Sequence, residues 1–281
     1  MLCTILKPTS GTALVNGYDI VRQPSQVRKS IGIVFQDPSI DDLLTGRENL
    51  RMHADLYGVP PGEQNERIGE VLALVELEGR ADERVRNYSG GMRRRLEIAR
   101  SLIHFPKVLF LDEPTIGLDP QSRDHIWTYI RELKRSKDIT IILTTHYMDE
   151  ADRLCDRVAI IDHGVIMAMG SPKALKEQLG GEAITIKTSD NRLYMDRLAE
   201  AGIAKRVEEV DGEVKMTVDN AHTLIPSVVD VAFKAGIKID SIYIQEPQLD
   251  DVFMHYTGRA LREGGEKILR GMAAVRRRSI R

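Results

Sequence analysis

The sequence predicts an α/β protein built on a mostly parallel sheet, followed by a small α+β domain. Three observations carry this. Compact apolar runs at residues 31–35, 108–111 and 140–143 are separated by long stretches of helical periodicity, and strands that alternate with helices make a parallel sheet. Beyond residue 180 the texture changes to short alternating strands in the order β-α-β-β-α-β, that of a split βαβ unit. At 281 residues, 42% hydrophobic and 29% charged, the chain is long enough for two globular domains.

The elements follow in order. Residues 12–15 and 19–21 flank Asn16-Gly17, a tight-hairpin pair, and the strand at 31–35 ends at Gln36. Residues 46–79 are helical, with a break at Gly58-Val59-Pro60-Pro61. Ser89 caps a helix running to about His104. Strands at 108–111 and 140–143 enclose a helix at 121–135. Residues 158–161 and 165–169 form a hairpin across Asp162-His163-Gly164. The second domain has strands at 184–187, 203–210, 214–218 and 239–244, helices at 193–201 and 221–235, and an Asp211-Gly212 turn. A last helix covers 249–262. The expected domains are 1–180, with a helical subdomain at about 40–105, then 181–263, then a basic tail at 264–281.

Composition narrows the function. A balanced net charge of −2 argues against a dedicated nucleic-acid partner. Cys3 and Cys155 stand far apart, so no disulfide framework is expected. No apolar run approaches the roughly 18 residues a membrane helix needs, so any membrane role comes through a partner. The tail cluster of Lys267, Arg270, Arg276, Arg277, Arg278 and Arg281 reads as a solvated end, the alternative being contact with anionic lipid headgroups.

Residues 88–119 read YSGGMRRRLEIARSLIHFPKVLFLDEPTIGLD. A Ser-Gly-Gly helix start, an apolar strand ending in Asp112-Glu113 and a Gly-Leu-Asp turn stand in fixed order. In this the chain resembles the ATP-binding cassette (ABC) ATPases, with residues 89–92 matching the signature loop, 108–113 the Walker B strand and 116–119 the D-loop. Tyr88 and Met92 replace the family's commonest Leu and Gln. YSGGMRRRL, with DDLLTGRENL at 41–50, TTHYMDEAD at 144–152 and LDDVFMHYTGRALRE at 249–263, looks like the daunorubicin-resistance group of exporter ATPases.

The resemblance implies a P-loop NTPase-like ABC ATPase domain, N-terminally truncated, followed by a ferredoxin-like domain. It also implies ATP and Mg²⁺ as cofactors. Asp112, at the end of a buried strand, would hold Mg²⁺ beside the phosphates, and Glu113 would polarise the attacking water. Gln36 would reach Mg²⁺ or that water, and His146 the γ-phosphate. Ser89 and the amides of Gly90 and Gly91 suit a phosphate, because glycine admits close approach and the helix dipole favours negative charge. Asp119 would bridge two protomers, and as the residue before Pro120 it also suits a helix cap. The implied partners are an integral-membrane permease and a second ATP-binding subunit in a homodimer, at the cytoplasmic face of the plasma membrane. Arg93, Arg94 and Arg95 read as an exposed basic helix face. His53, His104, His125, His163, His222 and His255 show no ligand spacing.

The 281 residues contain no G-x-x-x-x-G-K-[ST]. Residues 1–11, MLCTILKPTSG, read as the end of the helix that follows a phosphate loop. A preceding segment with that loop is therefore expected, its strand lying beside the one that carries Asp112. Without the loop the chain as written is not expected to hydrolyse ATP by itself. The alternatives are a degenerate module that assembles with an intact ATPase, and a non-transport ABC ATPase, against which the compact segment at 46–79 speaks.

Overall fold

The computed structural model describes residues 1–258 except 137, 180, 204–205, 211, 219–220 and 246. The Gly180 boundary, Asp211 of the expected hairpin turn, the end of the last helix and the basic tail lie outside the described residues. The chain divides into two compact units, Met1–His146 and Tyr147–Arg281.

In the first unit, residues 1–13 form turns instead of the expected helix end. Thr4 (φ 62°) and Gly11 (φ 83°) are left-handed, a backbone conformation that a right-handed helix does not contain. β1 (Leu14–Val15) and β2 (Tyr18–Asp19) pair across Asn16 and Gly17, both at positive φ, as a two-residue hairpin turn requires. α1 (Pro24–Ser30) has no counterpart in the sequence reading, although Pro24 in its first turn is a start signal. Then come β3 (Ile31–Val34), α2 (Gly46–Leu56), α3 (Pro61–Leu74), α4 (Gly90–Leu102), β4 (Val108–Asp112), α5 (Pro120–Ser136) and β5 (Thr140–Thr144).

β3, β4 and β5 form a parallel sheet in that order. Because β4 has a strand on each side, no further strand can pair with it. The phosphate-loop strand expected beside Asp112 is excluded from that position, and the outer edges of the sheet belong to β3 and β5. α4 lies close on β3: a Cβ added to Gly32 would stand 2.4 Å from the Ser101 carbonyl oxygen. The helices bury Leu50 and Ala54 of α2, Ile68 and Leu72 of α3, Leu96 and Ile98 of α4, and Ile126 and Ile130 of α5. These are the apolar stripes of amphipathic helices. α2 begins with a complete capping box between Thr45 and Glu48.

The second unit contains α6 (Met148–Leu154), the hairpin β6 (Val158–Asp162) and β7 (Val165–Gly170), and α7 (Pro172–Glu177). α6 and α7 are two further helices absent from the sequence reading, α7 again with proline in its first turn. β8 (Glu182–Thr188), α8 (Asn191–Ala201), β9 (Arg206–Val210), β10 (Glu213–Val218), α9 (Ala221–Lys234) and β11 (Ile239–Gln245) follow. Their sheet is antiparallel in the order β11-β8-β10-β9, the ferredoxin-like arrangement expected. Its core holds Ile184, Ile186, Tyr194, Leu198, Val214 and Met216. α10 (Leu249–Thr257) packs Leu249 and Val252 against Ala151, Ile160 and Leu175. Among the described residues no helix is long and apolar enough to cross a membrane.

Candidate functional site

Parallel register places the strand exits side by side. Val34 pairs with Leu111 and Leu111 with Leu143, while Asp112 pairs with Thr144. Gln36 follows β3, Asp112 and Glu113 end β4, and His146 follows β5. Adjacent strands lie about 4.8 Å apart, so these residues form one row at the carboxyl edge of the sheet. In open α/β sheets that edge is where ligands bind.

Asp112 is exposed, and its Oδ1 accepts the Thr144 hydroxyl. Glu113 sits at φ 47°, a left-handed turn that lifts it out of the strand. Its amide donates to the Thr144 carbonyl (3.1 Å) and its Oε2 lies 2.9 Å from His146 Nδ1. A carboxylate only accepts, so Nδ1 carries the proton in this contact. No local pattern in the sequence signals that Glu113 and His146 touch. Gln36 is exposed at the same edge.

Ser89 caps α4, its Oγ accepting from Met92 N at 3.2 Å, and both Ser89 and Gly90 face solvent. A Cβ on Gly91 would stand 2.7 Å from Ser122 Oγ, so glycine there lets the starts of α4 and α5 meet. Asp119 accepts from Ser122 N (2.9 Å) and from Ser122 Oγ (2.7 Å), capping α5. These bonds to Ser122, the hydroxyl's first, hold its carboxyl below the usual carboxylate range.

The arginine run corrects the sequence reading. Arg93 pairs with Asp42 at 2.8 Å, and Arg95 donates to the Val75 carbonyl. Arg94 is buried, 7% exposed, and anchors the loops on either side of the site. A run of charge ordinarily marks a solvated face; the partner Glu97 one turn on was the available signal.

The residues present fit nucleotide and metal in part. No group of three or more His, Cys, Asp or Glu side chains among the described residues could hold a metal alone. One exposed carboxylate at a strand end does suit Mg²⁺, which usually completes its shell with substrate phosphates and water. The exposed helix start at Ser89 and Gly90 suits a phosphate.

A parallel sheet with paired acidic and histidine groups at its carboxyl edge, beside a glycine-started helix, defines an ABC ATPase. Residues 1–116 match the ABC transporter family and residues 170–257 match the ATP-binding protein DrrA1-3-like, C-terminal domain. The linearmycin resistance ATP-binding protein LnrL of Bacillus subtilis is 36% identical over 267 residues, covering 94% of this chain and 86% of that protein. The daunorubicin/doxorubicin resistance ATP-binding protein DrrA of Streptomyces peucetius is 38% identical over 262 residues, covering 92% and 79%. Among solved structures, cbiO1 of Clostridium perfringens, part of the ABC transporter complex cbiONQ, matches with a TM-score of 0.58 and 33% identity. It covers 63% of this chain and 72% of that one. A dimeric ATP-binding cassette in a post-hydrolysis state, bound to ADP and Pi, matches at 0.53 and 25%, over 60% and 76%. The chain belongs to the ABC transporter ATP-binding proteins, in the group that carries the DrrA-type C-terminal domain.

Proposed function

We propose that the chain is the ATP-binding subunit of an exporter for a drug, lipid or similar substrate, coupling ATP hydrolysis to transport through a separate permease. The row formed by Gln36, Asp112, Glu113 and His146 at the ends of three adjacent parallel strands carries this reading. The drug-resistance names of LnrL and DrrA support the substrate class. In this reading Asp112 and Gln36 hold Mg²⁺. Glu113 takes the proton of the attacking water, and the Glu113–His146 contact orients the ring that His146 presents to the γ-phosphate. Ser89, Gly90, Gly91 and Asp119 face a second ATP-binding subunit, head to tail in a homodimer. The assembly sits at the cytoplasmic face of the plasma membrane, held there by the permease. Residues 1–180 serve as the ATPase portion, 181–263 as the accessory domain and 264–281 as a basic tail.

No phosphate loop occurs within the 281 residues, and that element supplies most of the phosphate binding and much of the transition-state charge stabilisation. Residues 1–281 alone should therefore show no ATP turnover. With a phosphate-loop segment from a relative fused ahead of Met1, turnover should appear. Glu113→Gln should then lower it by about 10²-fold or more with ATP affinity retained, because the base is lost and the shape kept. Measured turnover and nucleotide binding of the two proteins check this. Undiminished turnover in Glu113→Gln would remove Glu113 from the role.

A further inference from the structure

Three titratable residues stand one turn apart on the buried face of α4: Arg94, Glu97 and Arg100. Arg94 has five N–H donors, and all five are used. Nε donates to the Pro114 carbonyl (2.7 Å). One terminal nitrogen donates to the Phe35 carbonyl (2.6 Å) and to Glu97 Oε2 (3.0 Å). The other donates to the carbonyls of Asp112 (2.9 Å) and Glu113 (3.0 Å). Glu97, 2% exposed, uses its second oxygen to accept the Ser39 amide at 2.8 Å. Arg100 donates to the Ser39 carbonyl and hydroxyl.

The topology explains why these groups need partners. Beyond Val34 and Asp112 the chain leaves the β3–β4 ladder, so the carbonyls of Phe35, Glu113 and Pro114 lose their strand partners near the core. Buried backbone carbonyls must be satisfied, and a single planar guanidinium serves all of them. Both loops are thus fixed to one side chain, which stands just past the first turn of the helix that begins at Ser89.

We infer that Arg94 and Glu97 are positioning residues that lock the Gln36 loop, the Asp112–Pro114 turn and the Ser89 helix into one body, so that a displacement of Gln36 is delivered to the Glu113 carboxylate. The inference rests on the proposed roles of Gln36 and Glu113. Rigidity is the physical basis: the fork is planar, excluded from water and left with no unused donor. Lysine cannot substitute, because its three donors radiate from one nitrogen and cannot span four carbonyls.

Amide hydrogen exchange on the full 281-residue chain tests this without nucleotide, so its outcome is separate from that of the Glu113→Gln turnover experiment. Removing Glu97 strands the buried guanidiniums of Arg94 and Arg100, whereas replacing Arg94 alone by an apolar side chain of similar size leaves Glu97 opposite Arg100 and still accepting the Ser39 amide. In Arg94→Met the melting transition should persist. The Ser39 and Glu113 amides should exchange at least about tenfold faster, together, while α3 stays within about twofold of the parent. Arg94→Lys, which keeps the Glu97 charge compensated, should show the same paired acceleration. Unchanged exchange at both amides in a folded variant would overturn the inference, as would acceleration of only one loop. Loss of structure throughout the first unit in both variants would also overturn it, by showing that Arg94 serves the fold itself.

Discussion

Tyr88, at the position where the wider ABC family most often has leucine, closes over Gly46 at the start of α2. Its hydroxyl donates to the Arg80 carbonyl at 2.7 Å, and the side chain is buried. A Cβ on Gly46 would stand 2.5 Å from that hydroxyl oxygen but 3.5 Å from the ring carbon that bears it. Gly46→Ala should therefore destabilise the first unit by about 1–3 kcal/mol through overpacking. Tyr88→Phe alone should cost about 1 kcal/mol for the lost hydrogen bond. In Gly46→Ala/Tyr88→Phe the clashing atom is gone, so the double variant should be less destabilised than the two singles added. Urea unfolding of the four proteins measures the coupling, and strict additivity would refute the clash.

Between elements, α2 and the end of α4 meet through aromatic rings. His53 of α2 lies 5.3 Å from Tyr57, which stacks on His104 at 3.8 Å. His104 Nε2 is 2.8 Å from the Ile31 carbonyl at the start of β3. Burial first, then the charges of Arg100 and His104, push His53 down to about 4. Burial also lowers His104, the Ile31 carbonyl opposing and Arg67 assisting. In the unfolded chain a histidine takes its proton near pH 6.5. The folded state then binds fewer protons between about 6.5 and 4, so its stability is full above that window and is lost as pH falls through it. Allowing for the partial exposure of His53, the loss it causes between pH 7.5 and 5 should be about 1 kcal/mol. His53→Gln should flatten the slope of unfolding free energy against pH in that interval. An unaltered slope would place the sensitivity elsewhere.

At the scale of the whole molecule, each unit has its own core. The four-stranded sheet of the second unit is closed on one face by α8 and α9, and Tyr194, fully buried, donates its hydroxyl to the Val228 carbonyl at 2.8 Å. Residues 147–258 should fold alone with a cooperative transition, and Leu198→Ala should destabilise that fragment by about 2–5 kcal/mol. Calorimetry of the isolated fragment checks both; a featureless melt would contradict them. Residues 1–146 should behave differently, because among the described residues β5 pairs only with β4 in its sheet and Ile142 on it is 40% exposed. An unpaired apolar edge recruits other strands, so this fragment should associate as its concentration rises.

The sequence by itself determined the kinds of element and most of their order. Period-two and period-3.6 patterns survive any packing, and Asn16-Gly17 and His163-Gly164 adopt the positive φ that their hairpins need. It also supplied the candidate residues Gln36, Asp112, Glu113 and His146, each at a strand exit. α1, α6 and α7 escaped it because seven, seven and six residues are too few to show a helical period, and only α1 and α7 carry a proline as signal. Tertiary structure alone decided three things. β4 is central, which an apolar run cannot reveal, since edge and interior strands are composed alike when both faces are covered. Glu113 meets His146 across 33 positions, through parallel pairing that no local pattern encodes. Arg94 is buried rather than solvated because strand ends leave carbonyls unpaired beneath α4, and only the folded backbone places those carbonyls where one guanidinium can reach them all.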